Sequence, residues 1–163
     1  MAKYALANND IAINSQQNLS TAFKTLLSVT SLTGATTLRR AWIYDVMVGT
    51  DGTPADNAVN WIVNRQTTAS TGTAHTPTPL EGPNPTGDAA ALIVGTVNYT
   101  IEPTVTDQTG LVQLGVNQRA SYRWVAYPGG ELVVPAVTAN GIGVRAKSPA
   151  YTSTATACVN LWE

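Results

Sequence analysis

Arg39-Arg40-Ala41-Trp42-Ile43-Tyr44-Asp45-Val46-Met47-Val48 is the stretch whose reading decides the fold. Taken with a period of two, it puts Trp42, Tyr44, Val46 and Val48 on one face. Such alternation of β-branched and aromatic residues is the pattern of a half-buried strand. Thr50-Asp51-Gly52-Thr53-Pro54 then ends the run, because Asp-Gly tolerates positive φ and proline offers no N–H to a ladder.

The same grammar recurs outward in both directions. Residues 57–67 set Val59, Trp61 and Val63 opposite Asn60, Ile62 and Asn64. Residues 96–102, 111–116, 120–127, 131–135, 142–147 and 154–162 also read as strands, with Tyr122, Trp124 and Ala126 sharing a face. Between them stand Pro103, the turn at 107–110, Pro128-Gly129-Gly130, and Asn140-Gly141, which reads as a tight turn between neighbouring strands. Residues 21–31 fit a strand, in which Phe23, Leu27 and Val29 alternate with polar residues, or a helical face through Leu19, Phe23, Leu26 and Leu27. Three threonines favour the strand. Residues 89–94 fit one helical turn or a short strand.

Eight to ten short strands with Gly, Pro and Asn between them define an all-β, single-domain antiparallel β-sandwich. Residues 21–163 form its body, and residues 69–88, with Pro77, Pro79, Pro83 and Pro85, form a long Pro/Thr-rich surface loop. Residues 1–20 are polar and rich in Asn, Gln and Ser, and read as an N-terminal arm or as an edge segment around Ile11 to Ile13. No internal repeat of fixed period is present, which argues against a propeller or solenoid.

Composition narrows the function classes. The 163 residues are 44% hydrophobic, enough for a core, but only 12% charged, about half the usual share. A net charge of −1, with Arg39-Arg40 as the only adjacent basic pair, is not the footprint of a nucleic-acid binder. Low charge density means weak self-repulsion, which suits a surface destined for contact with neighbours. The single cysteine, Cys158, excludes an intrachain disulfide and any multi-cysteine metal site. No apolar run is long enough to suggest a membrane span or the h-region of a signal peptide, so the expectation is a chain made and kept in a cytoplasm.

Each candidate for chemistry has a simpler structural reading. His75, the only histidine, lies in the Pro/Thr-rich stretch without a nucleophile motif beside it and reads as a contact residue rather than a catalytic base. Cys158, within an apolar strand, reads as a small hydrophobe. Asp45, Asp51 and Asp56 lack the spacing of a helical calcium loop. Asp51 and Asp56 read as turn formers, and whether Ca²⁺ binds near them is left open by sequence. Glu102 and Glu131 are not nominated as a glycosidase pair by anything nearby. Of the tryptophans, Trp42, Trp61 and Trp124 read as core, and Trp162 as the exposed one.

Certain phrases resemble the small structural proteins of tailed bacteriophages. They are Arg39 to Gly49 with Gly52-Thr53-Pro54-Ala55-Asp56, Gly115 to Ala126, Pro128 to Pro135 and Gly141 to Ser148. The nearest kind is the capsid decoration, or cement, protein, over about residues 39–161. That resemblance implies a jelly-roll sandwich, a homotrimer seated on the outside of a phage capsid, made in the host cytoplasm and carried on the virion. It would bind copies of itself and the major capsid protein, bridge capsid subunits, and use no cofactor, metal, small-molecule substrate, nucleic acid or membrane. By analogy an arm reaches onto the shell. The candidate partner-binding residues are Lys3, Tyr4, Leu6, Ile11 and Ile13 in that arm, with His75 and Trp162 elsewhere. The rival expectations are a carbohydrate- or host-binding module of a tail fibre or spike, with Trp162 and Tyr151 as sugar platforms, and another virion component such as a tail-tube, head-completion or small capsid subunit. An enzyme is the least favoured reading.

Overall fold

Valine, isoleucine and threonine at alternating positions favour extended backbone over helix. The computed structural model describes residues 1–11, 15–32, 37–53, 55–68, 70–82 and 90–163, and among those it contains twelve strands and no helix. In chain order they are β1 (Lys3–Ala7), β2 (Lys24–Ser31), β3 (Ala41–Thr50), β4 (Ala58–Gln66), β5 (Thr71–His75), β6 (Thr78–Pro79), β7 (Ile93–Ile101), β8 (Val112–Asn117), β9 (Tyr122–Val125), β10 (Leu132–Val134), β11 (Gly141–Lys147) and β12 (Ala155–Trp162). A front sheet runs β10-β3-β12-β1-β6, with β9 also paired to β3, and a back sheet runs β5-β7-β2-β11-β4-β8. All these pairings are antiparallel. The chain is a β-sandwich, as its alternation predicts.

Four pairings reveal how the sandwich is wound. β1 with β12, β2 with β11, β3 with β10 and β4 with β8 are the rungs of one long antiparallel ribbon. Rolled up, that ribbon gives the orders β1-β12-β3-β10 and β2-β11-β4-β8, the two four-stranded sheets of a jelly roll.

The remaining strands fall mostly within the connection from β4 to β8. β5 pairs with β7, β7 with β2, and β6 with β1, so residues 71–101 extend both sheets at one side. The stretch expected as a surface loop at 69–88 therefore carries β5 and β6, while Ala69, Pro83 and Pro85 lie outside the described residues.

Within residues 1–20, expected as an arm or an edge segment, the structure forms a strand. Their strand is β1, earlier than Ile11 to Ile13, and it is inserted between β12 and β6. Tyr4 and Leu6 point into the core at 0% and 4% exposure. Apolar Tyr4 and Leu6 alternating with Lys3, Ala5 and Ala7 is a short half-buried pattern, easily masked by the Asn/Gln-rich residues that follow. Leu6 sits so close to β7 that a Cβ on Gly95 would lie 2.4 Å from its side chain. The C-terminal Glu163 accepts hydrogen bonds from the Leu92 amide and the Tyr4 hydroxyl, tying both chain ends to the β7 region.

Two further corrections concern phase and connection. The register of β3 against β12 slips between Ile43 and Asp45, leaving Tyr44 as the extra residue of a bulge. The inward set is therefore Ala41, Ile43, Val46 and Val48, and Trp42 faces outward rather than joining the core. β10 and β11 lie in different sheets, so Asn140-Gly141 belongs to a crossover and not to a hairpin, with Ala139 at φ +65° supplying its left-handed residue. The core itself is built on Leu26, Leu27, Val29, Val59, Trp61, Val97, Ile142, Val144, Val159 and Leu161. Each such fully buried aliphatic side chain contributes about 1.5–3 kcal/mol of transfer free energy.

Candidate functional site

A sheet edge presents a row of unpaired N–H and C=O groups, and a protein covers it, blunts it or offers it to a partner. β8 is the last strand of the back sheet, and its six residues, Val-Gln-Leu-Gly-Val-Asn, include no charge and no proline. It pairs with β4 residue for residue, without a bulge. Gln113, Gly115 and Asn117 are exposed, while Val112, Leu114 and Val116 lean onto the core.

β9 lies at the same side of the front sheet. It and β10 share the outer edge of β3, β9 along Asp45–Val48 and β10 along Ala41–Ile43. Val112 and Leu114 of β8 close over the end of the core with Tyr122 and Trp124 of β9, leaving a void of only about 10 Å³. Outside this seam Tyr122 and Leu111 are partly exposed, Val125 is 58% exposed and Tyr127 76% exposed. Tyr127 is held at the tip by a turn over Pro128-Gly129, in which the Gly130 amide donates to the Tyr127 carbonyl at 2.8 Å and Gly129 takes φ +83°. Pro then Gly at the two central positions is the chemistry of a type II turn.

An ion pair fixes β9 in place. Arg123 donates from Nε to both oxygens of Asp45 at 2.9 and 3.1 Å and from a terminal nitrogen at 2.7 Å, while Asn160 of β12 donates to the same carboxylate at 3.1 Å. Asp45 is 1% exposed although it faces outward. The Arg123 hydrogen bonds hold its carboxyl below the ordinary value of 3.8, outweighing the opposite effect of burial. Sequence reading missed this pin because Asp45 and Arg123 are distant in the chain and only the β3–β9 register joins them.

The residues expected to contact a partner are scattered by the fold. Tyr4 and Leu6 are core residues, Tyr4 wholly buried and Leu6 nearly so, whereas Lys3 is exposed on β1. Ile11 is 91% exposed, and Ile13 lies outside the described residues. Leu6, Ile11 and His75 do line one shallow hollow together with Asp10 and Thr78. There His75 faces the Ala7 carbonyl with Nδ1 at 3.2 Å and Asp10 with Nε2 at 3.3 Å, so it joins β5 to the segment after β1. Trp162 stacks on Trp42 with ring centroids 4.1 Å apart and planes 12° from parallel, which occupies one face of the ring. Tyr151 is buried, and its hydroxyl donates to the Thr154 carbonyl.

The other singled-out groups have local partners. Cys158 is half-buried on the outward face of β12, and burial, with the nearby Asp45 charge, raises its pKa and keeps it a thiol. Asp51 accepts from Thr156 at 2.9 Å and Asp56 pairs with Arg119 at 3.2 Å. Among the described residues no group of three or more His, Cys, Asp and Glu side chains is gathered to hold a metal. Glu102 accepts from the Thr25 amide and pairs with Lys24.

Compared with known protein families, curated proteins and solved structures, the chain has no significant match. What the geometry itself defines, among the described residues, is a jelly-roll sandwich whose β8 edge is uncharged and unblunted.

Proposed function

We propose that this chain is a non-enzymatic structural protein that assembles with copies of itself and with a larger shell, as a decoration protein on the outside of a phage capsid. The observation that carries the reading is the β8–β9 side, where Val112 and Leu114 of an uncharged six-residue edge strand meet Tyr122 and Trp124, and Val125 and Tyr127 are exposed on and just after β9. Strand addition to such an edge gives main-chain hydrogen bonds, and the aromatic skin gives area. A neighbouring subunit covering both would bury on the order of 800 Å² per partner, the size of a standard interface. The rolled-ribbon strand order and the low charge support the same reading.

In this proposal the protein is a homotrimer whose subunits meet through the open side. Repeated modest contacts to the major capsid protein then bind the trimer by avidity. The test is co-sedimentation with phage capsids, paired with light scattering of the free protein. The expected result is a trimer that pellets with capsids and makes them harder to disrupt. A monomer that stays in the supernatant would overturn the proposal.

A further inference from the structure

The outward side of the back sheet is a trough rather than a plain solvent face. In register across it lie Ala74, Thr96, Ser28, Gly143 and Asn64, and in the next row Val94, Thr30, Gly141 and Gln66. The two glycines leave the middle of the floor without side chains. Ser28, Thr30, Gln66, Ser70 and Thr96 line a hollow of about 260 Å³, with Leu32 and Val94 as its apolar part.

Polar atoms under this trough lack partners. Gln66 and Asn64 are only 3% and 2% exposed, yet Gln66 Oε1 and Asn64 Oδ1 accept no hydrogen bond. Thr25 Oγ1 and Arg145 Nε on the adjoining row are also unpaired. Native proteins leave few buried polar atoms unsatisfied, and of these residues Gln66 is the one that lines the hollow, so its amide is the group that calls for a partner there. The Gln66 amide is folded down onto the floor, where its oxygen would stand 3.3 Å from a Cβ on Gly143. Its terminal torsion is a soft one, so the amide can turn its oxygen or its NH2 towards a ligand in the hollow.

We propose that this trough binds one sugar unit, a neutral ligand carrying several hydroxyls and an apolar C–H face. The residues lining the hollow carry no charge, which disfavours phosphates, carboxylates and ammonium groups. Hydroxyls and an amide can each donate and accept, which matches the alternating demands of a sugar's hydroxyls. Leu32 and Val94 fit the C–H face. The site lies on the face of the back sheet and not along β8, so it stands independently of the assembly reading.

The experiment is a ¹⁵N NMR titration of the intact chain with glucose, galactose and N-acetylglucosamine, each free and as the end unit of a trisaccharide. The expected result is saturable shifts at the Gln66 side-chain amide and at Thr30 and Thr96, with a Kd on the order of 1 mM for at least one sugar. The free and chain-end arms distinguish a soluble sugar from a surface glycan. Gln66→Met removes the unpaired amide, and Ala74→Leu fills the hollow from exposed β5. Each should weaken binding at least roughly tenfold while the spectrum stays dispersed. No saturation at roughly ten times that concentration, or equal binding by both variants, overturns the proposal.

Discussion

At the side of the sandwich where β1 and β2 lie, the segment from β5 to β7 adds β6 to one sheet and β7 and β5 to the other, whereas at the side of β8 and β9 no further strand is laid on among the described residues. The edges left at the first side are blunted. β6 is two residues long and ends in Pro79, and β5 is polar, with a register break between Thr71 and Thr73. Short strands, proline and bulges are the usual means of stopping edge-to-edge pairing. β8 has none of them, and Tyr122, Val125 and Tyr127 are exposed on and just after the neighbouring β9. One molecule thus holds both solutions to the edge problem. The difference leaves the second side as the one open to strand addition, which is where the proposed assembly would place another chain.

The largest expected effect breaks the first side. Deleting residues 1–7 removes β1, strips Tyr4 and Leu6 from the core and leaves β12 unpaired along that flank. Large-to-small changes at single core sites cost about 2–5 kcal/mol, so losing both side chains and a ladder consumes most of a typical domain's net stability. The expected outcome is loss of the cooperative thermal transition. A truncated protein that melts like the full chain would show that this segment is an arm after all and would undo the contrast between the two sides.

That contrast was only partly legible in the sequence. A strand with uninterrupted alternation, such as β12, is plain from residue type because one face of it is buried throughout. β3 was placed correctly but read in the wrong phase at its start, since one bulge residue, Tyr44, turns Trp42 outward and no local signal announces it. β5 and β6 were hidden because threonines and prolines describe an edge strand and a loop equally well. The open side escaped notice for another reason. Gln113 and Val125 become neighbours of an exposed edge only through pairings with β4 and β3, and exposure is a property of the fold.

A smaller effect tests how firmly the second side is held. Arg123→Ala leaves the Asp45 carboxylate buried with Asn160 as its remaining side-chain donor, and should lower the denaturant midpoint in chemical denaturation. Because Asp45 titrates lower in the folded state than its ordinary 3.8, its contribution is complete above that value and fades as pH falls through the folded value. The stability gap between the native chain and Asp45→Asn should therefore narrow in acid below that point. A gap that stayed constant across the acid range would mean that the pair does not fasten β9.

The smallest effect on stability is the most telling for function. Gln113→Lys on β8 together with Val125→Glu on β9 changes two exposed residues that make no core contact, so the monomer should keep its stability within about 0.5 kcal/mol. Charge on an edge strand opposes strand addition because a partner's backbone must desolvate it. Self-association, followed by sedimentation over a concentration series, should weaken at least roughly tenfold, about 1.4 kcal/mol. Thr73→Lys on β5 places a charge on the blunted edge instead and should leave association unchanged. If both edges responded alike, charge rather than edge design would account for the loss. If neither responded, the apolar side would be a feature of the monomer alone, and the copies would have to meet through some other surface.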